Sequence, residues 1–171
     1  MTTNNLRNII RLFSNKQVFN YQQLNSNMIN AIRKIEFDSA HRIINHESKC
    51  KMLHGHRYVL EVYLNAKNQD NQLDKLGRVI DFGEMKAIIG GWVDKFLDHN
   101  TILSDEDKTL GNNIKNTTGQ DIYYLKYPPT AENIALHLLQ EILPDLLAKT
   151  EVECKKLRLY ETPNCWVEVV L

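Results

Sequence analysis

Cys50-Lys51-Met52-Leu53-His54-Gly55-His56, preceded by Phe37-Asp38-Ser39-Ala40-His41, places three imidazoles and a thiol in one short span of the chain. In an extended strand successive side chains alternate between faces, so His54 and His56 point the same way, and Gly55 removes any side chain from the opposite face. His41 closes a second strand-like run, in which Ile35, Phe37, Ser39 and His41 share a face. Pairing the two runs brings the third imidazole to the same spot. Three neutral imidazoles with one open position are what a catalytic zinc takes. A His-x-His pair alone is a weak motif. Here it has company: Tyr58, Leu60, Val62 and Leu64 continue the histidine face, His41 ends another strand, and Cys50 stands just before the pair.

The chain has 171 residues, a usual size for one domain with its own core. Lys plus Arg equals Asp plus Glu at 21 each, so no broad basic field exists to attract nucleic acid or an anionic membrane. Three widely spaced cysteines, Cys50, Cys154 and Cys165, with no secretory signal or long apolar span, indicate a reduced, cytoplasmic setting. Composition shifts near residue 33. Residues 1–32 are rich in Asn and Gln, lack Asp and Glu, and carry Arg7, Arg11 and Lys16, with Arg33 just after. They read as an N-terminal extension before a domain over 33–171, and as an organelle-targeting segment or an early start codon ahead of Met28 in the alternative.

From Ile32 the order expected is strand, strand, helix, helix, strand, strand. Arg57 to Lys67 alternates as a strand, and residues 68–77 have turn composition. A helix begins at Asp81, which caps it, with Glu84 completing a capping-box pattern. Met85, Ile88, Ile89, Trp92, Val93, Phe96 and Leu97 then recur at helical spacing. Gly90-Gly91 inside that helix calls for a close-packed neighbour, a second helix or another subunit. Residues 104–129 show no usable period and read as a lid, a subunit contact or an insertion. Thr130 caps a second helix bearing Ala131, Ile134, Ala135, Leu138, Leu139 and Ile142, until Pro144 disturbs it. Val152 to Glu161 and Trp166 to Leu171 form a closing hairpin around Thr162-Pro163-Asn164.

Six segments, in this order, resemble a known family: Phe-Asp-Ser-Ala-His-Arg (37–42), Cys-x-x-x-His-Gly-His-x-Tyr (50–58), Val-Ile-Asp-Phe-Gly-Glu-Met-Lys (79–86), Leu-Asp-His-Asn (97–100), Pro-Thr-Ala-Glu-Asn (129–133) and Tyr-Glu-Thr (160–162). The chain resembles the 6-pyruvoyl-tetrahydropterin synthase superfamily, and within it the 6-carboxytetrahydropterin synthases of queuosine biosynthesis. The resemblance implies an α+β tunnelling fold: a four-stranded antiparallel sheet with two helices on one face, assembled as a trimeric barrel and commonly a hexamer, with active sites between subunits.

It also implies roles. His41, His54 and His56 become the Zn2+ ligands, the set that strand alternation reached independently. Cys50 matches the catalytic cysteine, and a thiolate beside a metal and an imidazole can move protons on a substrate carbon. Asp98-His99 matches a relay in which the carboxylate orients the imidazole, although a helix C-terminus explains the pair equally well by sequence. Glu161 matches the pterin anchor, accepting two parallel hydrogen bonds from the ring, and Thr130 is a second candidate contact whose capping role already explains it. Asp81 reads as a helix cap only.

The implied substrate is 7,8-dihydroneopterin triphosphate, with zinc acting as a Lewis acid and no redox cofactor. The carboxy branch releases acetaldehyde and triphosphate and forms 6-carboxy-5,6,7,8-tetrahydropterin. The pyruvoyl branch keeps the three-carbon side chain. The three-residue gap between Cys50 and His54 resembles the carboxy branch. A non-enzymatic zinc or pterin module comes third, because it has no need of Cys50 beside Asp98-His99.

Overall fold

The structure is a computed structural model and describes residues 28–171. The readings of residues 1–27 lie outside the described residues. Strand β1 (Ala31–His41) starts two residues ahead of the composition boundary and runs antiparallel to β2 (His54–Ala66). The register sets Phe37 opposite Tyr58, Ser39 opposite His56 and His41 opposite His54. Phe37, Ser39, His41, Tyr58, Leu60, Val62 and Leu64 are buried on one face, as alternation predicts. On the reverse face Asp38 meets Arg57, whose Nε and Nη2 donate to the carboxylate at 3.0 and 2.6 Å. A slip of one residue would turn every histidine to the other side, so the buried apolar positions lock the register that gathers the three histidines.

Helix α1 covers residues 82–96, with a wider π turn at Lys86–Gly90 between two α segments. Asp81 caps it, its Oδ1 accepting from the N–H of Gly83 at 2.8 Å and of Glu84 at 3.4 Å. Met85, Ile89, Val93 and Leu97 are buried against the sheet, each contributing roughly 1.5–3 kcal/mol. The close neighbour expected at Gly90-Gly91 is not found among the described residues. A β-carbon on Gly91 would meet nothing within 4 Å, and one on Gly90 only Lys86 at 3.7 Å. The two glycines instead border a groove of about 670 Å³ between α1 and residues 33–36 of β1.

Residues 104–129 are structured, which corrects the expected loop or lid. β3 (Thr101–Ser104) and β4 (Ile122–Leu125) run parallel to each other, and β3 pairs in parallel with the end of β1. Between them lies α2 (Lys108–Thr118), closed by Gly119 in the left-handed conformation at φ 76°, where a side chain would be strained. Leu103 and Tyr124 face Gly111 of α2, while Ile102 and Tyr123 face the main core, so this third helix covers the reverse face. Helix α3 spans residues 131–146 and carries its own π turn at Leu138–Ile142. Pro144 does not end it. Proline has no N–H to give, and the wide turn just ahead absorbs the mismatch.

The chain closes with β5 (Val152–Thr162) and β6 (Cys165–Val170). The sheet order is β4-β3-β1-β2-β5-β6, so there are six strands rather than the expected four. The antiparallel four, β1, β2, β5 and β6, are present, with α1 and α3 packed on one face. The parallel pair β3-β4 extends that sheet beyond β1.

Candidate metal centre and catalytic groups

The three histidines meet where β1 ends and β2 begins. Their ring centroids lie 4.6 Å (His41 and His54), 5.2 Å (His41 and His56) and 4.9 Å (His54 and His56) apart, and one ligand atom from each falls within 4.8 Å of the others. Gly55 permits this, since a β-carbon there would press to 3.3 Å from the Ser39 carbonyl oxygen. His41 Nδ1 lies 2.8 Å from the Pro129 carbonyl oxygen and His54 Nδ1 2.7 Å from that of Met52. A carbonyl only accepts, so each Nδ1 carries the proton and each Nε2 presents a lone pair. Those two Nε2 atoms face each other at 3.2 Å, and His56 Nε2 is buried with no hydrogen-bond partner among the described residues. Burial holds His41 and His56 below the usual imidazole pKa, in the neutral form that ligates metal. Facing lone pairs repel unless a cation lies between them, and zinc held by imidazole at about 2.0–2.1 Å spaces its donors by roughly 3.3 Å. The residues therefore fit the metal.

Tyr58 forms the floor. Its ring stacks on Phe37 at 5.1 Å and meets His41 and His56 edge-on, and its hydroxyl is buried without a hydrogen-bond partner among the described residues. Burial and the Glu161 carboxylate raise its pKa far above the usual range. Glu161, near the end of β5, brings Oε1 to 3.5 Å from His41 Nε2 and 3.8 Å from His56 Nε2. Thr130 caps α3, its Oγ1 accepting from the Asn133 N–H at 3.3 Å. The residue before it, Pro129, supplies the carbonyl that orients His41.

Cys50 sits half-buried on the 3-10 turn Lys49–Lys51, outside the histidine cluster. Its carbonyl accepts from Ile43 N–H at 2.9 Å, which fastens this turn to the chain just past His41. Asp98 follows α1. Its Oδ1 accepts from Asp38 N–H at 2.8 Å, and its Oδ2 accepts from His99 Nδ1–H at 2.8 Å. His99 has φ 57°, held by its N–H on the Asp38 carbonyl at 2.6 Å. The Asp98 carboxylate raises the His99 pKa, and the imidazole is 79% exposed. It lines one hollow with Asp38, Ser39, Ala40, Gly55, His56, Arg57, Asn100 and Gln120, and it stands near Asp38 and Arg57, whose side chains alternate away from the three imidazoles. Within one chain the structure thus brings Glu161 to the three histidines, sets Thr130 next to the residue that orients His41, and leaves the Asp98-His99 pair beside Asp38 and Arg57.

Over residues 31–170 the chain matches the family described as 6-pyruvoyl tetrahydropterin synthase. The chain belongs to that family. The 6-carboxy-5,6,7,8-tetrahydropterin synthase of Rickettsia bellii is 54% identical over 142 residues, spanning 83% of this chain and 100% of that protein. The protein of the same name from Haemophilus influenzae is 27% identical over 143 residues, spanning 82% and 98%. Among solved structures, the 6-pyruvoyl tetrahydropterin synthase of Caenorhabditis elegans superposes with a TM-score of 0.57 at 22% identity, covering 85% of this chain and 96% of that one. An uncharacterized Wolinella succinogenes protein gives 0.68 at 21%, covering 84% and 98%. These two likenesses show the fold.

Sequence reasoning on this tetrahydropterin synthase family member missed the carbonyls of Pro129 and Met52, which bear no side-chain signature. It also missed the bidentate pair of Arg42 and Asp107, in which Arg42 Nη2 donates to Asp107 Oδ1 at 2.7 Å. Arg42 directly follows His41, and Asp107 is buried just ahead of α2, so the pair ties the formerly unreadable segment to the metal strand.

Proposed function

We propose that this protein converts 7,8-dihydroneopterin triphosphate to 6-carboxy-5,6,7,8-tetrahydropterin, releasing acetaldehyde and triphosphate, as a zinc-dependent step of queuosine biosynthesis. The observation that carries the reading is the convergence of His41, His54 and His56 with their Nδ1 protons turned onto backbone carbonyls. The 54% identical relatives named 6-carboxytetrahydropterin synthase and the short gap from Cys50 to His54 favour the carboxy product.

Zinc held by the three imidazoles supplies Lewis acidity at the substrate's side-chain oxygens. Glu161 accepts hydrogen bonds from the pterin ring N3–H and 2-amino group, which fixes the side chain over the metal. Cys50 Sγ removes a proton from a side-chain carbon, and His99 Nε2, oriented by Asp98, exchanges protons with Cys50 or a substrate hydroxyl. Thr130 holds the Pro129 turn and stands as a second substrate contact.

Since His99 stands near Asp38 and Arg57, whose side chains alternate away from the three imidazoles, we assign it to the site of a neighbouring subunit. A homo-oligomer built edge to edge accommodates this. β3 pairs with β1 only at Ala40 and His41, so residues 31–37 lack a strand partner on that side, while β4 and β6 are the outer strands; exposed Ile32, Trp166 and Val170 lie on β1 and β6. A trimeric barrel, doubled to a hexamer, is the assembly proposed, in the cytoplasm. Among the described residues no helix is long and apolar enough to cross a membrane.

The test is to incubate zinc-loaded protein with dihydroneopterin triphosphate and score the products by mass, with Cys50→Ala as control. Acetaldehyde and 6-carboxytetrahydropterin, both lost in the variant, are expected. A 6-pyruvoyl product without acetaldehyde would move the chain to the pyruvoyl branch, and no turnover by folded, zinc-bearing protein would leave only a binding module.

A further inference from the structure

Glu161 stands closer to the histidine cluster than a pterin anchor needs to. Its Oε1 is 3.5 Å from His41 Nε2, on the side of the ring that carries a lone pair, because the ring proton is on Nδ1 facing Pro129. The same Oε1 is 3.8 Å from His56 Nε2, and His54 Nε2 faces His41 Nε2 at 3.2 Å. Two imidazole lone pairs, the buried His56 nitrogen and a carboxylate oxygen thus converge, and among the described residues no hydrogen bond reaches the His56 nitrogen. Donors around a tetrahedral zinc stand roughly 3.3 Å apart. The spacings of 3.2 and 3.5 Å bracket that value, and 3.8 Å exceeds it by less than a rotation of the Glu161 carboxylate corrects.

We propose that Glu161 is the fourth donor to the metal before substrate arrives, and that pterin binding removes it. The inference rests on the reading of Glu161 as the pterin anchor and deepens it. Holding the ring N3–H and 2-amino group takes both carboxylate oxygens. Oε1 cannot serve ring and metal together, so capture of the ring draws Glu161 off the metal and opens the position that the side-chain oxygens fill. One carboxylate then couples opening of the metal to arrival of a ring with the right donor pair, and a small oxygen ligand without that ring meets a closed centre.

Cobalt(II) substituted for zinc reports its donors through visible bands, and the metal alone is the probe. In the full-length chain without substrate, Glu161→Gln is expected to shift the cobalt bands and to weaken Zn2+ binding, measured by chelator competition, by at least about tenfold. Adding 7,8-dihydroneopterin, which lacks the triphosphate, is expected to move the wild-type bands towards those of the variant. Should Glu161→Gln fold poorly by circular dichroism, Glu161→Asp, which withdraws the carboxylate by one methylene, carries the same expectation. Cobalt bands and zinc affinity unchanged by either substitution would overturn the inference. Bands that depend on Glu161 in a protein that turns over no pterin would sink the enzymatic reading and leave the fourth donor in place.

Discussion

His41 is oriented from behind by Pro129 and faces two other nitrogens in front, while Tyr58 beneath it buries a hydroxyl without a hydrogen-bond partner among the described residues. An unsatisfied buried hydroxyl costs about 1–3 kcal/mol, so Tyr58→Phe is expected to raise unfolding stability by about 1 kcal/mol while keeping the ring stack on Phe37. Denaturant titration reads this directly, and a loss of stability would mean that the hydroxyl has a partner. His99 offers a second residue-scale test. Asp98 lifts its pKa above 6.5, so the ion pair's contribution to stability is full below about pH 6.5 and disappears as pH rises through the higher folded-state value. Following the ring protons by NMR, His99 should titrate above 6.5 in the wild type and fall back in Asp98→Asn. The clustering of the three histidines was legible because strand alternation needs only sequence. The approach of Glu161 was not, since it depends on how β5 registers against β2, which a lone strand does not encode.

At the level of elements, α1 and α3 were readable from their apolar stripes and caps, and β1 and β2 from alternation. The segment from 101 to 125 was not, for physical reasons. Its strands are four residues each, too short to show a period, and α2 turns only Leu110, Gly111 and Ile114 inward along an otherwise polar helix. Burial of Thr101 through Ser104 supplies what periodicity did not. Thr130 shows an element serving a site. Its cap holds the start of α3, and the preceding carbonyl aims His41. Thr130→Ala is expected to cost about 1 kcal/mol of stability and also to weaken zinc binding, checked by thermal unfolding of metal-free protein and by chelator competition. Lost stability with unchanged zinc affinity would confine Thr130 to capping.

For the whole molecule, the proposed assembly places Asp98-His99 in the site of a neighbouring subunit. Cys50→Ala and His99→Ala, each inactive alone, should complement when mixed after dissociation and reassembly. Random mixing restores roughly a quarter of the sites if one subunit gives Cys50 and another His99. Mixed oligomers without activity would put both groups in one chain or remove them from catalysis. The sheet's open edges carry the same requirement, because unpaired strands bearing Ile32, Trp166 and Val170 invite pairing with another copy.

The central claim is that three imidazoles hold a zinc on which carbon-carbon cleavage depends. Its most direct test is to titrate zinc back into metal-free protein while measuring acetaldehyde released from dihydroneopterin triphosphate. The rate of release should rise in proportion to bound zinc and level off at about one zinc per chain. Acetaldehyde formed without regard to zinc, or none at full loading, would contradict the account.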